Sequence, residues 1–437
     1  MKKLFYSFNE LLASFWFIPV LIILASVLIA MGTVYLDGIL SFEPTGISRF
    51  FFVHSADSAR TILSTISGAM IGVAGTVFSV TLVALTLASS QFGSRLIRNF
   101  MYVRLNQIVL GSYVSTYLYC LIVMNTINGS EDQGFIPTLS IFLAIVAAIV
   151  NILLLIVFIH RIAISIQADK VIFDISEMLT EHVTRLYPKK MQKSDYEANG
   201  NDVEKQIKKY SHQTVVHAPK NGYLQYVDKD SLVGLMSKAD CLLELKSRPG
   251  DHLIEDYAMG MLYHQEQDIK NLLEKIQNQF IIGKTRTSQQ DLEFSIHQMV
   301  EIAARALSPG INDPFTAMSC IDNLTSILSY LSQVDFGNKF QADEKNKLCL
   351  ISDVVNFEGL LNASFNQIRQ YSGGSPAVII RLMEGLITIH HFAQKVSYKK
   401  AIIKHAVMVL NAGRSNIAEA HDLKDLEDRA EQIIPAG

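Results

Sequence analysis

Charge is scarce in this chain, and most of it lies in one part. Lys, Arg, Asp and Glu make up 18% of the 437 residues, against about a quarter in soluble proteins. Residues 1–160 hold only six acidic and seven basic side chains, and residues 161–437 hold the other 35 and 31. So long a stretch with so little charge reads as a membrane domain, followed by a soluble domain large enough for its own core. The net charge of −3 comes with no basic face, so there is no footprint for nucleic acid. Cysteine is sparse too. Cys120, Cys241, Cys320 and Cys349 stand too far apart for a metal clip or a redox pair, and scattered reduced thiols suit a cytoplasmic domain. The chain has no P-loop, no dinucleotide-binding glycine fingerprint and no HExxH pair, the usual marks of nucleotide and zinc chemistry. No enzymatic activity, cofactor or metal ion is expected.

What is there, first of all, is four long apolar runs, at about 15–36, 62–88, 108–127 and 136–159. Each meets the roughly 20 residues that a bilayer core requires. A signal peptide is the rival reading of the first, but a polar patch separates Lys2 and Lys3 from an apolar run that is long for a signal. Arg95, Arg98 and Arg104 lie between the second and third runs, and Arg161 and Lys170 follow the fourth. The positive-inside rule then places both termini and residues 91–106 in the cytoplasm. No run carries an ionisable group at its centre, which argues against a proton relay or charge-coupled pump.

The second run is unusual. Thr65, Gly68, Gly72, Gly75 and Ser79 recur at spacings of 3, 4, 3 and 4, Thr86 continues the stripe one heptad on, and Thr76 lies beside it. That spacing sets them on one helix face. Two readings compete. Small residues let helices pack closely; alternatively, around a symmetric axis, the same face would form rings of hydroxyls lining a pore, with Phe78 or Leu82 as apolar constrictions. Past the membrane surface, Gln91, Arg95 and Arg98 would ring a cytoplasmic mouth and concentrate anions, or the arginines are topology charges touching lipid phosphate.

After the fourth run an amphipathic helix through residue 187 and a polar connector are expected, so the chain divides at 1–160, 161–212, 213–265 and 266–437. Residues 213–265 carry short β-prone runs broken by Asn221-Gly222 and Pro249-Gly250. Their order resembles the hybrid β-barrel of lipoyl and biotinyl carrier domains, without the Met-Lys context of the modified lysine. From 266 onward the pattern is helical, with expected helices at 266–281, 288–307, 314–333, 345–371, 376–396, 398–411 and 420–433.

Between two of these helices stands RALSPGINDPFTA, residues 305–317. Ser308-Pro309-Gly310 stops one helix, and Asp313 caps the next with Pro314 at its first position. Arg305, Asn312, Arg286 and Asp291 are not explained by turn chemistry. An ion-pair network is the first reading, with Asp313, Glu301 or Asp291 as partner to Arg305; a subunit interface or ligand loop is the second. Catalysis would need a nucleophile with its base, and Ser308 has no histidine close in sequence.

The residues 304–317, preceded by RTSQQDLEFSIHQMVEIA (286–303), together with SVTLVALTLASSQFGSRLIRNF (79–100), GYLQYVD (222–228) and RPGDHL (248–253), resemble the signatures of the bacterial membrane proteins catalogued as domain of unknown function 2254. The resemblance covers almost the whole chain. It implies a four-span inner-membrane protein with a large cytoplasmic C-terminal domain, and it brings no catalytic residue set. The expected fold is therefore an α-helical polytopic membrane domain of four transmembrane helices, plus a cytoplasmic α+β domain with a small β-barrel-like segment and a helical C-terminal bundle. The expected function is a homo-oligomeric pore in contact with lipid, itself and small ions. The alternative is a membrane-anchored module that binds a ligand or partner.

Overall fold

The computed structural model describes residues 14, 16–39, 55–92, 104–128, 135–165, 167–189, 200–266 and 269–435. It divides into two compact units, Met1–Lys170 and Val171–Gly437, described separately below.

The first unit holds α1 (Phe17–Ile39), α2 (Ala56–Phe92), α3 (Arg104–Thr126) and α4 (Thr138–Ser165), all long and apolar enough to cross a membrane. The least apolar of them is the central one. α3 packs against α1, α2 and α4, and 50% of its apolar window is buried, against 17–22% in the other three. Its polar side chains are used as contacts, because bilayer helices gain little from apolar association alone. Ser26 on α1 donates to the Ser115 carbonyl at 3.0 Å, and Gly111 lets α1 approach so closely that an added Cβ would stand 3.0 Å from Pro19 Cα. Asp37, near the end of α1, accepts from the Leu139 and Ser140 amides at 2.8 and 2.9 Å. Those amides belong to the first turn of α4, where helical N–H groups lack internal partners and favour an anion.

The second unit begins within α5 (Ala168–Leu186), whose Val171, Ile172, Ile175, Leu179 and Val183 form a buried face. Next come α6 (Gly200–Ile207), β1 (His212–His217), β2 (Gly222–Val227), α7 (Lys229–Ala239), β3 (Leu242–Leu245), β4 (His252–Leu253), β5 (Ala258–His264), α8 (Lys270–Gln277) and β6 (Phe280–Gly283). The chain continues with α9 (Leu292–Ala306), α10 (Pro314–Leu331), β7 (Phe340–Ala342), β8 (Leu348–Ser352), α11 (Phe357–Tyr371), α12 (Pro376–Phe392), α13 (Val396–Asn416) and α14 (Ala420–Ala430).

The strands make two open sheets, β1-β5-β3-β8-β7 and β4-β2-β6, so the expected barrel-like segment is corrected: neither sheet closes on itself. The larger one recruits β8 through a parallel pairing with β3, the other pairings being antiparallel. A closed barrel needs every edge paired, and here β1 and β7 are edges. Helix was expected at 345–371, but the chain forms β8 first and α11 only from Phe357. All five β8 residues are buried, so the strand shows a continuous apolar run without the alternation that identifies a half-buried strand. The expected 266–281 helix is likewise shorter, and its end is β6.

Candidate functional site

α2 carries two seams with the same 3–4 spacing. Leu63, Ser67, Met70, Ala74, Val77, Ala84 and Ala88 are buried, and α2 contacts α3 and α4. The other seam lies one or two residues further along, at about 100° per residue, and so faces away from the bundle. Thr65, Gly68, Gly72, Gly75, Thr76, Ser79 and Thr86 are all exposed there. Beyond its own chain neighbours and the nearby backbone of α2, a Cβ added at Gly68, Gly72 or Gly75 would meet no atom of the described residues within 4 Å. The hydroxyls do not reach out for partners. Thr65, Thr76, Ser79 and Thr86 donate to the carbonyls four residues back, at 2.7, 3.3, 2.9 and 2.9 Å. Phe78 and Leu82 are exposed as well, at 47% and 46%. Packing against α3 and α4 is therefore the work of the first seam, and among the described residues nothing covers the glycine–hydroxyl stripe. Gln91 lies in the last turn of α2; Arg95 and Arg98 lie outside the described residues.

The membrane unit also holds a polar knot. Asn151, on α4, is fully buried. Its Oδ1 accepts from Ser112 Oγ at 2.7 Å, its Nδ2 donates to Thr116 Oγ1 at 2.8 Å, and its backbone carbonyl accepts from Tyr113 OH at 2.7 Å. The signal was present in the sequence: a lone asparagine in the most apolar run, opposite a run rich in Ser, Thr and Tyr.

In the second unit the quoted motifs interlock. β2 pairs with β4 and β6, which brings 222–228 beside 248–253. Arg286 grips Asp291 with two bonds, Nε to Oδ2 at 2.7 Å and an NH2 nitrogen to Oδ1 at 2.9 Å. Burial pulls the Arg286 guanidinium down, and the Asp291 carboxylate more than offsets it, so its pKa is raised. Asp291 is 5% exposed and also caps α9 by accepting from the Phe294 amide at 3.0 Å. Gly250, at φ +101, fits against this pair; a Cβ there would lie 2.4 Å from Asp291 Oδ2. Arg248 reaches Glu293 at 2.9 Å. Gln290 both donates to and accepts from the Val227 backbone, at 3.1 and 2.9 Å, and so pairs with β2 as a neighbouring strand would.

The 305–317 corner forms as its turn chemistry requires. Asn312 takes a left-handed φ of +51. Asp313 caps α10 through the Thr316 amide at 3.1 Å and the Thr316 hydroxyl at 2.6 Å. Asp291 and Asp313 are thus committed elsewhere, and Arg305 pairs with Glu301 at 3.9 Å, a loose contact on a surface-facing side chain. Ile311 and Phe315 stand out from the corner, 47% and 77% exposed.

One pair outside these motifs has the look of reaction chemistry. Lys229 Nζ donates to Ser352 Oγ at 3.0 Å, and burial lowers the amine pKa, as in a nucleophile–base pair. However, Ser352 is 3% exposed, and its amide already donates to the Lys339 carbonyl at 3.0 Å. The hydroxyl has no open face for substrate and the amide is not free to hold an oxyanion. The contact joins the start of α7 to the end of β8. The four cysteines are free and buried; burial pushes the Cys241 thiol up to about 11, which keeps it protonated and unreactive.

A family described as "Predicted membrane protein (DUF2254)" matches residues 13–388. An uncharacterized protein of Mycobacterium bovis is 29% identical over 383 residues, 86% of this chain and 72% of its own length. An uncharacterized protein of Mycobacterium tuberculosis matches with the same identity and coverage. No solved structure matches.

Proposed function

The chain belongs to the DUF2254 family of predicted membrane proteins, and on that premise we propose that it assembles with copies of itself in the bacterial inner membrane around an ion-conducting axis lined by α2. The second unit, on the cytoplasmic side with both termini, acts as vestibule or gate. One observation carries the reading. Among the described residues, nothing packs on the seam built from Gly68, Gly72, Gly75 and the back-bonded hydroxyls of α2. Facing acyl chains, a row of glycines leaves gaps, whereas small residues collect where helices meet helices or water in a bilayer. The back-bonded Thr and Ser oxygens still have lone pairs to offer such an axis, and the exposed Phe78 and Leu82 would narrow it. Nothing in this reading calls for catalysis.

A second reading rests on the corner. Ile311 and Phe315 project from a rigid turn, as a docking knob for a cytosolic partner would, with the spans serving as anchor. Flux through liposomes holding the purified protein separates the two. Selective ion flux that Gly72→Leu and Ser79→Phe abolish, with assembly unchanged, supports the pore. No flux under voltage, osmotic or pH challenge moves the assignment to the anchored module.

A further inference from the structure

α11 and α13 meet through a small polar cluster that neither the membrane assembly nor the motif junction uses. His405, on α13, is 1% exposed. Its Nε2 lies 2.9 Å from Asn362 Oδ1, an atom that also receives Asn366 Nδ2 at 3.4 Å. An amide oxygen only accepts, so the imidazole hydrogen sits on Nε2. Burial, then the charges of Arg369 and Lys404, hold the ring in its neutral form, with Glu358 opposing them. Nδ1 therefore carries a bare lone pair. Three atoms of this cluster are buried without a hydrogen-bond partner among the described residues: His405 Nδ1, Asn366 Oδ1 and Arg369 Nε. Asn362, Asn366 and Arg369 recur at spacings of four and three, so they share one face of α11.

The inventory is two acceptors and one donor, none reaching solvent. An anion would meet two lone pairs, and a cation would meet the Arg369 charge. An apolar filler would leave all three atoms unpaired, and buried polar groups seldom go unpaired. What complements the set is a neutral molecule that donates twice, accepts at least once and is small enough for a closed junction. We propose that one ordered water molecule is bound between α11 and α13, donating to His405 Nδ1 and Asn366 Oδ1 and accepting from Arg369 Nε. It completes a chain of hydrogen bonds that runs from one helix to the other and back. Buried waters typically make about three such bonds.

The direct test is a structure of the full chain at a resolution that shows ordered solvent. The expected result is one peak within about 3.2 Å of all three atoms. A peak bonded to fewer than two of them, density too large for water, or protein partners filling those positions would each overturn the proposal. A thermal-melting cycle tests it from another side. At about pH 8 the imidazole is neutral, and losing either His405→Phe or Arg369→Met already releases the water. The double variant should then lower the midpoint by clearly less than the sum of the two single shifts. A strictly additive sum would mean that the two atoms do not share one molecule.

Discussion

The two units solve the same problem, how to bury polar groups, with different chemistry. In the membrane unit the buried contacts at mid-span are neutral: Asn151 with Ser112, Thr116 and the Tyr113 hydroxyl. In the second unit they include a buried carboxylate under a bidentate guanidinium, Asp291 with Arg286, and a titratable ring, His405. The difference follows from the surroundings. Charges at the centre of a bilayer are expensive, so the first unit is knotted with amides and hydroxyls. The second can keep charges in its core edges wherever a partner is fixed beside them.

That contrast predicts the most damaging substitution. Asp291→Ala removes a carboxylate that serves two partners at once. It leaves the Arg286 guanidinium, only 24% exposed, without its carboxylate and takes the cap from α9. A loss on the order of 3 kcal/mol is expected, read as the melting transition of the second unit in the full chain. Asp291→Asn should recover part of it, since an amide oxygen can still cap. An unchanged melt for Asp291→Ala would show that the motif junction is not what holds β2 against α9.

The second prediction concerns pH. His405 is lowered from 6.5 to about 4, by burial first and then by Arg369 and Lys404. The unfolded chain therefore takes up the proton before the folded one does. Stability contributed by the neutral ring is fully present above about pH 6.5 and is lost as pH falls toward about 4, because there the unfolded state binds more protons. That fall from 6.5 to about 4 corresponds to roughly 3 kcal/mol at its limit. Denaturation midpoints of the second unit across that window measure it. His405→Phe should flatten the slope between pH 4 and 6.5, and a slope that survives the substitution would assign it to other groups. The membrane unit, whose knot holds no carboxylate, imidazole or amine, should show no matching step.

The third is smaller. Asn151→Leu deletes both side-chain bonds of the mid-span knot and leaves the Tyr113 bond to the backbone carbonyl in place. Hydrogen bonds between bilayer helices are worth about 1 kcal/mol, so the helices stay assembled and the loss is modest. Unfolding in detergent measures it, and a loss as large as that of Asp291→Ala would erase the distinction between the two units.

How far these features could be read in advance depended on how local their causes were. The four spans, the Asp313 cap with Pro314 behind it, and the break before Pro376 all follow from residues close in sequence. β8 does not, because its five buried residues look the same in a strand and in a core helix until β3 and β7 are brought alongside. The barrel-like reading failed for a related reason: the strand that completes the larger sheet comes from a hundred residues further on. At the corner, Arg305 was expected to pair with Asp313, Glu301 or Asp291. Only the fold decides among them, since Asp313 caps α10 and Asp291 holds Arg286, which leaves Glu301.

The smallest expected effect on the fold is also the sharpest test of what α2 is for. Its two seams share a spacing and differ in composition. The buried one uses Leu, Met, Val and Ala, which fill space against α3 and α4; the exposed one uses glycine and hydroxyls bonded to their own helix. Periodicity identifies a face, and composition identifies what the face can meet. Gly72→Leu adds a side chain whose Cβ, beyond the nearby backbone of α2 itself, meets no atom of the described residues within 4 Å, and it replaces glycine with a better helix former. The isolated chain should therefore hold its stability to within about 1 kcal/mol. Ala74→Leu, on the buried seam two positions on, should lose about 1–3 kcal/mol by overpacking. If the open seam is where copies meet, Gly72→Leu will change the assembled mass in detergent while the chain's own unfolding stays put. If both variants alter unfolding alike, the two seams are not distinct faces and α2 does not line an axis.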